Sequence, residues 1–255
     1  MKLSLMTASL GQDMTLAELL SVTEKYGYEG LECRAEKGHK HGVELETSRE
    51  QRAQIKAAFA DSAVSFAGIA CSCRFEYPEP ERRREQVERA KEFIDMCVEV
   101  GSPRLRVFGN YKPDAVDEGE FLEYVGASLR ELGEYAEGSD VAVNLEMHGH
   151  FYRRRYAVGA VEAADHEGIG ILYNCDPRER EAGPVGETLQ AVAPYLRHLH
   201  FHHLEDPRYP YNELFRMLKN LGYGGLVTVE GGQSDDAERV MAIYARLFEW
   251  MYWNS

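Results

Sequence analysis

No apolar run in this sequence approaches the roughly 18 residues of a membrane span, so a membrane-embedded protein is not expected. Cysteine is sparse. Cys33, Cys71, Cys73, Cys97 and Cys175 form no CxxC pair, and Cys71-Ser-Cys73 is too closely spaced for a zinc finger. They read as reduced thiols that fill the core, and no His/Asn pair is tied to any of them for nucleophilic catalysis. Cationic charge is also short: 29 Lys and Arg stand against 43 Asp and Glu, a net charge of −14. That balance excludes non-specific binding to nucleic acid or to an anionic membrane, because phosphate binding depends on cationic neutralisation. A small anion held by a few local arginines is still allowed. The opening MKLSLMTASLGQ turns polar too soon for a signal peptide, so a cytoplasmic location is expected. No GxGxxG turn follows the first strand-like segment, where Ala8-Ser-Leu-Gly-Gln-Asp stands instead, so an open dinucleotide-binding sheet is not expected.

What the sequence has is alternation. Strand-like runs occur at 2–7, 30–33, 64–70, 104–108, 141–146, 169–175, 197–202 and 225–230. Helix-like stretches follow at 16–26, from Ser48, and at 81–100, 120–137, 157–166, 185–193, 211–221 and 235–253. Ser48 with Gln51 three residues on is a capping box. The polar stretch 81–100 carries one apolar stripe: Val87, Ala90, Phe93, Ile94, Cys97 and Val98. Strict alternation predicts an α/β fold with a parallel sheet and outer helices. Eight repeats in about 250 residues predict closure into a (β/α)8 TIM barrel, a single domain over residues 1–255.

Four consecutive strand-like segments in the second half end on a metal-capable residue: VAVNLE at Glu146, GILYNCD at Asp176, RHLHFH around His200 and LVTVE at Glu230. In a barrel, alternate strand residues point inward. Asn144 and Glu146 share one face, as do Leu172, Asn174 and Asp176, and Thr228 and Glu230, with apolar residues opposite. His198, His200 and His202 share a face, and parity does not choose among them. Unpaired carboxylates are too costly to bury, so a divalent cation is the expected partner. Manganese, magnesium, cobalt or zinc would suit, with the oxygen-rich set leaning to manganese or magnesium.

The segments NLEMHGH, NCDPRE, LRHLHFHH and GGLVTVEGG, together with KLSLMTASL and YGYEGLE near the start, resemble the sugar phosphate isomerase/epimerase superfamily, the xylose-isomerase-like barrels. The resemblance implies a metal set of Glu146, Asp176, His200 and Glu230, and selects His200 among the three histidines. It implies proton movement next to a carbonyl, with Glu146 and Glu230 as the acid/base pair. His148 resembles a substrate-contacting strand ending, and His202 is a further candidate for substrate contact. Glu179 stands where many relatives carry a substrate-contacting His, which puts the substrate's identity in question.

The expected function is thus a divalent-metal-dependent isomerase or epimerase of a small sugar, sugar phosphate or keto-acid. The alternative is a lyase, a dehydratase of a cyclic polyol or keto-acid, which shares proton removal. An endonuclease IV-like nuclease needs more ligands and a basic face, and a non-catalytic metal- or sugar-binding barrel would bind without turnover. Arg153-Arg154-Arg155 follows the fifth strand and reads as a solvated run or an anion holder. Arg82-Arg83-Arg84 reads as surface. His39 and His41 lie in a rim loop, as a lid element or a mobile polar loop. The aromatic end, Phe248 to Trp253, fits core packing or a contact in a homo-oligomer.

Overall fold

The structure is a computed structural model that describes residues 1–255. Its strands are β1 (Lys2–Met6), β2 (Gly30–Arg34), β3 (Ser65–Arg74), β4 (Arg104–Phe108), β5 (Ala142–Glu146), β6 (Ile169–Asn174), β7 (Leu196–Phe201) and β8 (Leu226–Val229). All eight pair in parallel and in sequence order, and β8 returns to β1 with Ser4 beside Thr228 and Leu5 beside Val229. The barrel is closed, as the alternation predicted. Around it lie α1 (Leu16–Lys25), α2 (Arg49–Ala60), α3 (Pro80–Val100), α4 (Glu118–Ala136), α5 (Arg154–Ala164), α6 (Val185–Val192), α7 (Tyr211–Asn220) and α8 (Ala237–Asn254).

Local sequence sets the helix ends. Thr15 and Glu18 form a capping box on α1, and Ser48 and Gln51 form the expected one on α2. Helix α3 stops at Gly101, whose φ of 76° suits a residue without a Cβ. The stripe on α3 differs from expectation near its C-terminal end. Val98 is 48% exposed, while Met96 and Val100 join the buried face. The 3.6-residue period carries the seam through 93, 96, 97 and 100, leaving 98 at its edge.

The apolar core lies between barrel and helices. Val143, Leu145, Ile171, Tyr173, Leu199, Phe201, Val227 and Val229 are all fully buried on the outward faces of β5 to β8. The inward faces are polar to an unusual degree. Register aligns Glu32 with Gly68, Arg34 with Ala70 and Arg106, Asn144 with Gly170, and Asn174 with His200 and Thr228. A barrel interior is more often filled by branched apolar side chains. Gly68 makes room for this polar filling: a Cβ there would sit 2.7 Å from Arg104 Cγ. All five cysteines are buried and free, in line with their reading as core thiols. No helix is long and apolar enough to cross a membrane.

Candidate active site at the carboxyl rim

The carboxyl ends of β5, β7 and β8 bring Glu146, His200 and Glu230 together. One ligand atom from each lies within 4.8 Å of the others. Glu146 ends β5 facing inward, and its Oε1 accepts from Asn174 Nδ2 on β6 at 3.0 Å. Its Oε2 lies 3.0 Å from Arg106 Nε. That pair lacks hydrogen-bond alignment, so both atoms are buried without a bonded partner. His200 is fully buried, with Nδ1 3.6 Å from Glu230 Oε2.

A third carboxylate orients the imidazoles from below. Glu32 Oε2 on β2 lies 2.9 Å from His200 Nε2 and 2.8 Å from His198 Nε2. Arg104 donates to His198 Nδ1 at 3.0 Å, so Nε2 of that ring carries the proton that Glu32 accepts. Burial lowers His198 to about 4, against the attraction of Glu32. Burial would lift the Glu32 carboxyl, but the two imidazoles hold it well below the usual carboxylate range. Burial also opposes charge on His200, yet the Glu32 and Glu230 carboxylates raise it to about 10. Its Nε2–H is committed to Glu32, and its Nδ1 is buried with no hydrogen-bond partner; below about pH 10 that nitrogen carries a proton, which a cation binding there would displace. Orphaned Nδ1, orphaned Glu146 Oε2 and the Glu230 carboxylate form a donor set that fits a divalent cation.

The other expected site residues fall differently. Asp176 reaches the same rim, but Arg178 Nε bonds both its oxygens at 3.0 and 2.9 Å, and the Arg178 backbone N–H adds a cap at 2.9 Å. Asp176 is therefore outside the tight group. His202 is 30% exposed, with Nδ1 4.0 Å from Glu230 Oε2. His148 is half-buried, its Nδ1 2.7 Å from Asn110 Oδ1 and its ring beside Phe108. Glu179 is not brought to the rim. Its side chain is fully buried, and Tyr173 and Tyr209 donate to its Oε1 at 2.6 and 3.0 Å. Tyr173 lies on the outward face of β6, so Glu179 packs behind the barrel wall.

The arginine run after β5 is spread over the surface. Arg154 pairs with Glu187, Arg155 with Glu118, and Arg153 lies over the Tyr152 ring. His41 is buried: Val43 N–H donates to its Nδ1, and its Nε2 meets Thr7 Oγ1 at 3.1 Å.

Glu32, Arg34 and Arg106 were not among the expected site residues. Their signal was present in GLECR and RLRVF, where charged and apolar residues alternate as they do in the four later strands.

A family model described as xylose isomerase-like TIM barrel matches residues 20–252. No curated protein sequence matches the chain. Among solved structures, D-psicose 3-epimerase from Clostridium cellulolyticum H10 superposes with a TM-score of 0.81 at 16% identity, covering 99% of each chain. The probable 3-DHS dehydratase AsbF from Bacillus anthracis gives 0.77 at 16% identity, covering 98% of this chain and 99% of that one. The IOLI protein with a bound zinc atom gives 0.76 at 15% identity, covering 98% and 96%. At these identities the likeness is one of fold.

Proposed function

Since the chain belongs to the xylose isomerase-like TIM barrel family, we propose that it is a divalent-metal-dependent isomerase or epimerase that moves a proton next to a carbonyl of a small sugar or keto-acid. One observation carries this reading. Two carboxylates, Glu146 and Glu230, converge on an imidazole whose Nδ1 is buried and unpartnered. Glu146, His200 and Glu230 would hold the cation, with Asp176 as a fourth ligand once released from Arg178. When bound, the cation would polarise the substrate oxygens beside the reacting carbon.

The chain's own residues supply the rest. Glu146, at the end of β5, takes a proton from carbon, and Glu230, directly after β8, returns one from the other side. Asn174 fixes the Glu146 carboxylate by its bond to Oε1. Glu32 fixes the tautomer of His200, so that Nδ1 faces the rim. His148 and His202, both partly exposed, would touch substrate hydroxyls.

The test is solvent deuterium exchange, followed by proton NMR, over a panel of ketoses and keto-acids with manganese-loaded protein. Loss of one C–H signal from at least one compound is expected. No exchange across the panel from protein that holds its metal would sink the proposal. A lyase shares the proton removal, and its product would lose water and gain enone absorbance.

Glu32 gives a separate check on the metal. Glu32→Gln should weaken manganese binding by about 10- to 100-fold, because outer carboxylates orient ligating histidines. Competition against a chelator measures it, and unchanged affinity would remove Glu32 from that role.

A further inference from the structure

On the β2–β4 wall, two arginines sit at one level inside the barrel with one strand between them, Arg106 beside Glu146. Register places Arg34 on β2, Ala70 on β3 and Arg106 on β4 at one level, all facing inward. Both arginines are buried, with exposures of 8% and 3%. Only the small Ala70 stands at that level on the strand between them.

The polar partners of Arg34 do not neutralise it. Its Nη1 donates to the carbonyls of Ala35 and Ala70, and its Nη2 to Ser72 Oγ at 2.5 Å. None of these carries charge. A guanidinium has five N–H donors. Three are used here, so two are left without a protein acceptor. Glu36, two residues on, is taken by Arg89 Nε at 2.6 Å and by the Ser72 backbone. Arg106 donates Nη1 to Cys71 carbonyl at 3.0 Å and stacks 4.0 Å from the Phe108 ring centre. Its one acid is Glu146, a residue of the proposed acid/base pair. Burial and the Arg106 charge both pull the Arg34 guanidinium below its ordinary range.

A buried cation with no carboxylate in hydrogen-bond contact is costly, and a second like charge at the same level adds to that cost; Glu36 and Glu146 offset it only in part. In a chain of net charge −14, such a pair is not surface excess. It is relieved by an anion that arrives from outside. Guanidinium forks match the two oxygens of a carboxylate in plane. We infer that Arg34 and Arg106 bind a carboxylate group of the substrate, which makes that substrate a sugar acid or keto-acid rather than a neutral sugar. This rests on the proton-transfer reading of the same site. The carboxylate end would lie on the β2–β4 wall and the reacting carbon near Glu146 and Glu230.

The test uses a pair of probes that differ only in the charged group: erythronate and erythritol. Ligand-observed NMR titration of the full-length protein gives both affinities without turnover. Erythronate should bind at least about tenfold tighter than erythritol, the scale of a charge-assisted hydrogen bond. Arg34→Met should abolish that preference, and Arg34→Lys should restore part of it, with charge kept but the fork lost. Equal binding of the two probes to the wild-type chain would overturn the inference, even if Arg34→Met failed to fold. So would a preference that survives in a folded Arg34→Met chain. Inorganic phosphate binding tighter than erythronate, and displacing it, would overturn the assignment to a carboxylate. The two proposals fail separately. Acid binding without deuterium exchange supports the anion site and counts against proton transfer. Exchange on neutral ketoses by a chain that ignores erythronate does the reverse.

Discussion

Replacing Glu146 by Gln should lower deuterium exchange on a confirmed substrate by a factor of about 10² to 10⁴, the usual contribution of a positioned acid or base. The substitution keeps the size of the side chain and its carbonyl oxygen, so the bond from Asn174 Nδ2 to Oε1 can persist. What it removes is the anion beside Arg106 and the proton acceptor at the rim. Glu230→Gln should cause a loss of the same order, but not on the same substrate stereoisomer. If the two carboxylates serve opposite faces of one carbon, each variant keeps exchange on the epimer whose C–H faces the intact carboxylate. The measurement is therefore exchange of both epimers by both variants, at saturating manganese. Complementary losses are expected. Full exchange on both epimers by either variant would remove that residue from the acid/base pair. Identical losses on both epimers would reduce the role of both residues to holding the metal.

The barrel was legible because parallel strands buried on both faces leave a strong mark. Apolar runs at regular spacing, separated by helical periods, admit few other architectures. The inward faces of β5 to β8 were legible too, because parity alone separates Asn144 and Glu146 from Val143 and Leu145. Parity could not separate His198, His200 and His202, which differ only in depth. Depth is set by partners from far along the chain: Glu32 and Arg104 claim His198, while Glu32 and Glu230 flank His200. The engagement of Asp176 with Arg178 was also hidden. It depends on side-chain rotamers within a three-residue turn, which spacing does not encode. Glu32 and Arg34 carried the right alternation in GLECR. They did not stand out, because Glu32 lies in mid-strand and Arg34 is not a metal-ligand type.

Its position three residues after Asp176 puts Glu179 among the expected rim residues. Its burial depends on Tyr209, thirty residues later, closing over it. That burial leads to a large pH effect. Burial lifts the Glu179 carboxyl to about 8, although Tyr173 and Tyr209 both donate to it. Its ordinary value is 4.5. The folded chain therefore holds a proton on Glu179 over a range where the unfolded chain has released it. The stabilisation is fully present below about 4.5 and is lost progressively as pH rises towards 8. Across that window the loss should be roughly 3–5 kcal/mol, since holding one proton that the unfolded chain has released costs about 1.36 kcal/mol for each pH unit crossed. Glu179→Gln cannot ionise, so it should lack this slope. Urea unfolding of both chains at pH 5, 6.5 and 8.5 measures the difference. Other titrating groups, His200 among them, are common to both chains and cancel. The variant should gain on the wild type as pH rises and exceed it at pH 8.5. Parallel curves would mean that Glu179 ionises without penalty, and so that the tyrosine pocket admits water. The pocket joins the loop after β6, which carries Asp176, to the loop after β7, which carries His202. Charging Glu179 should thus loosen the rim on which both residues stand.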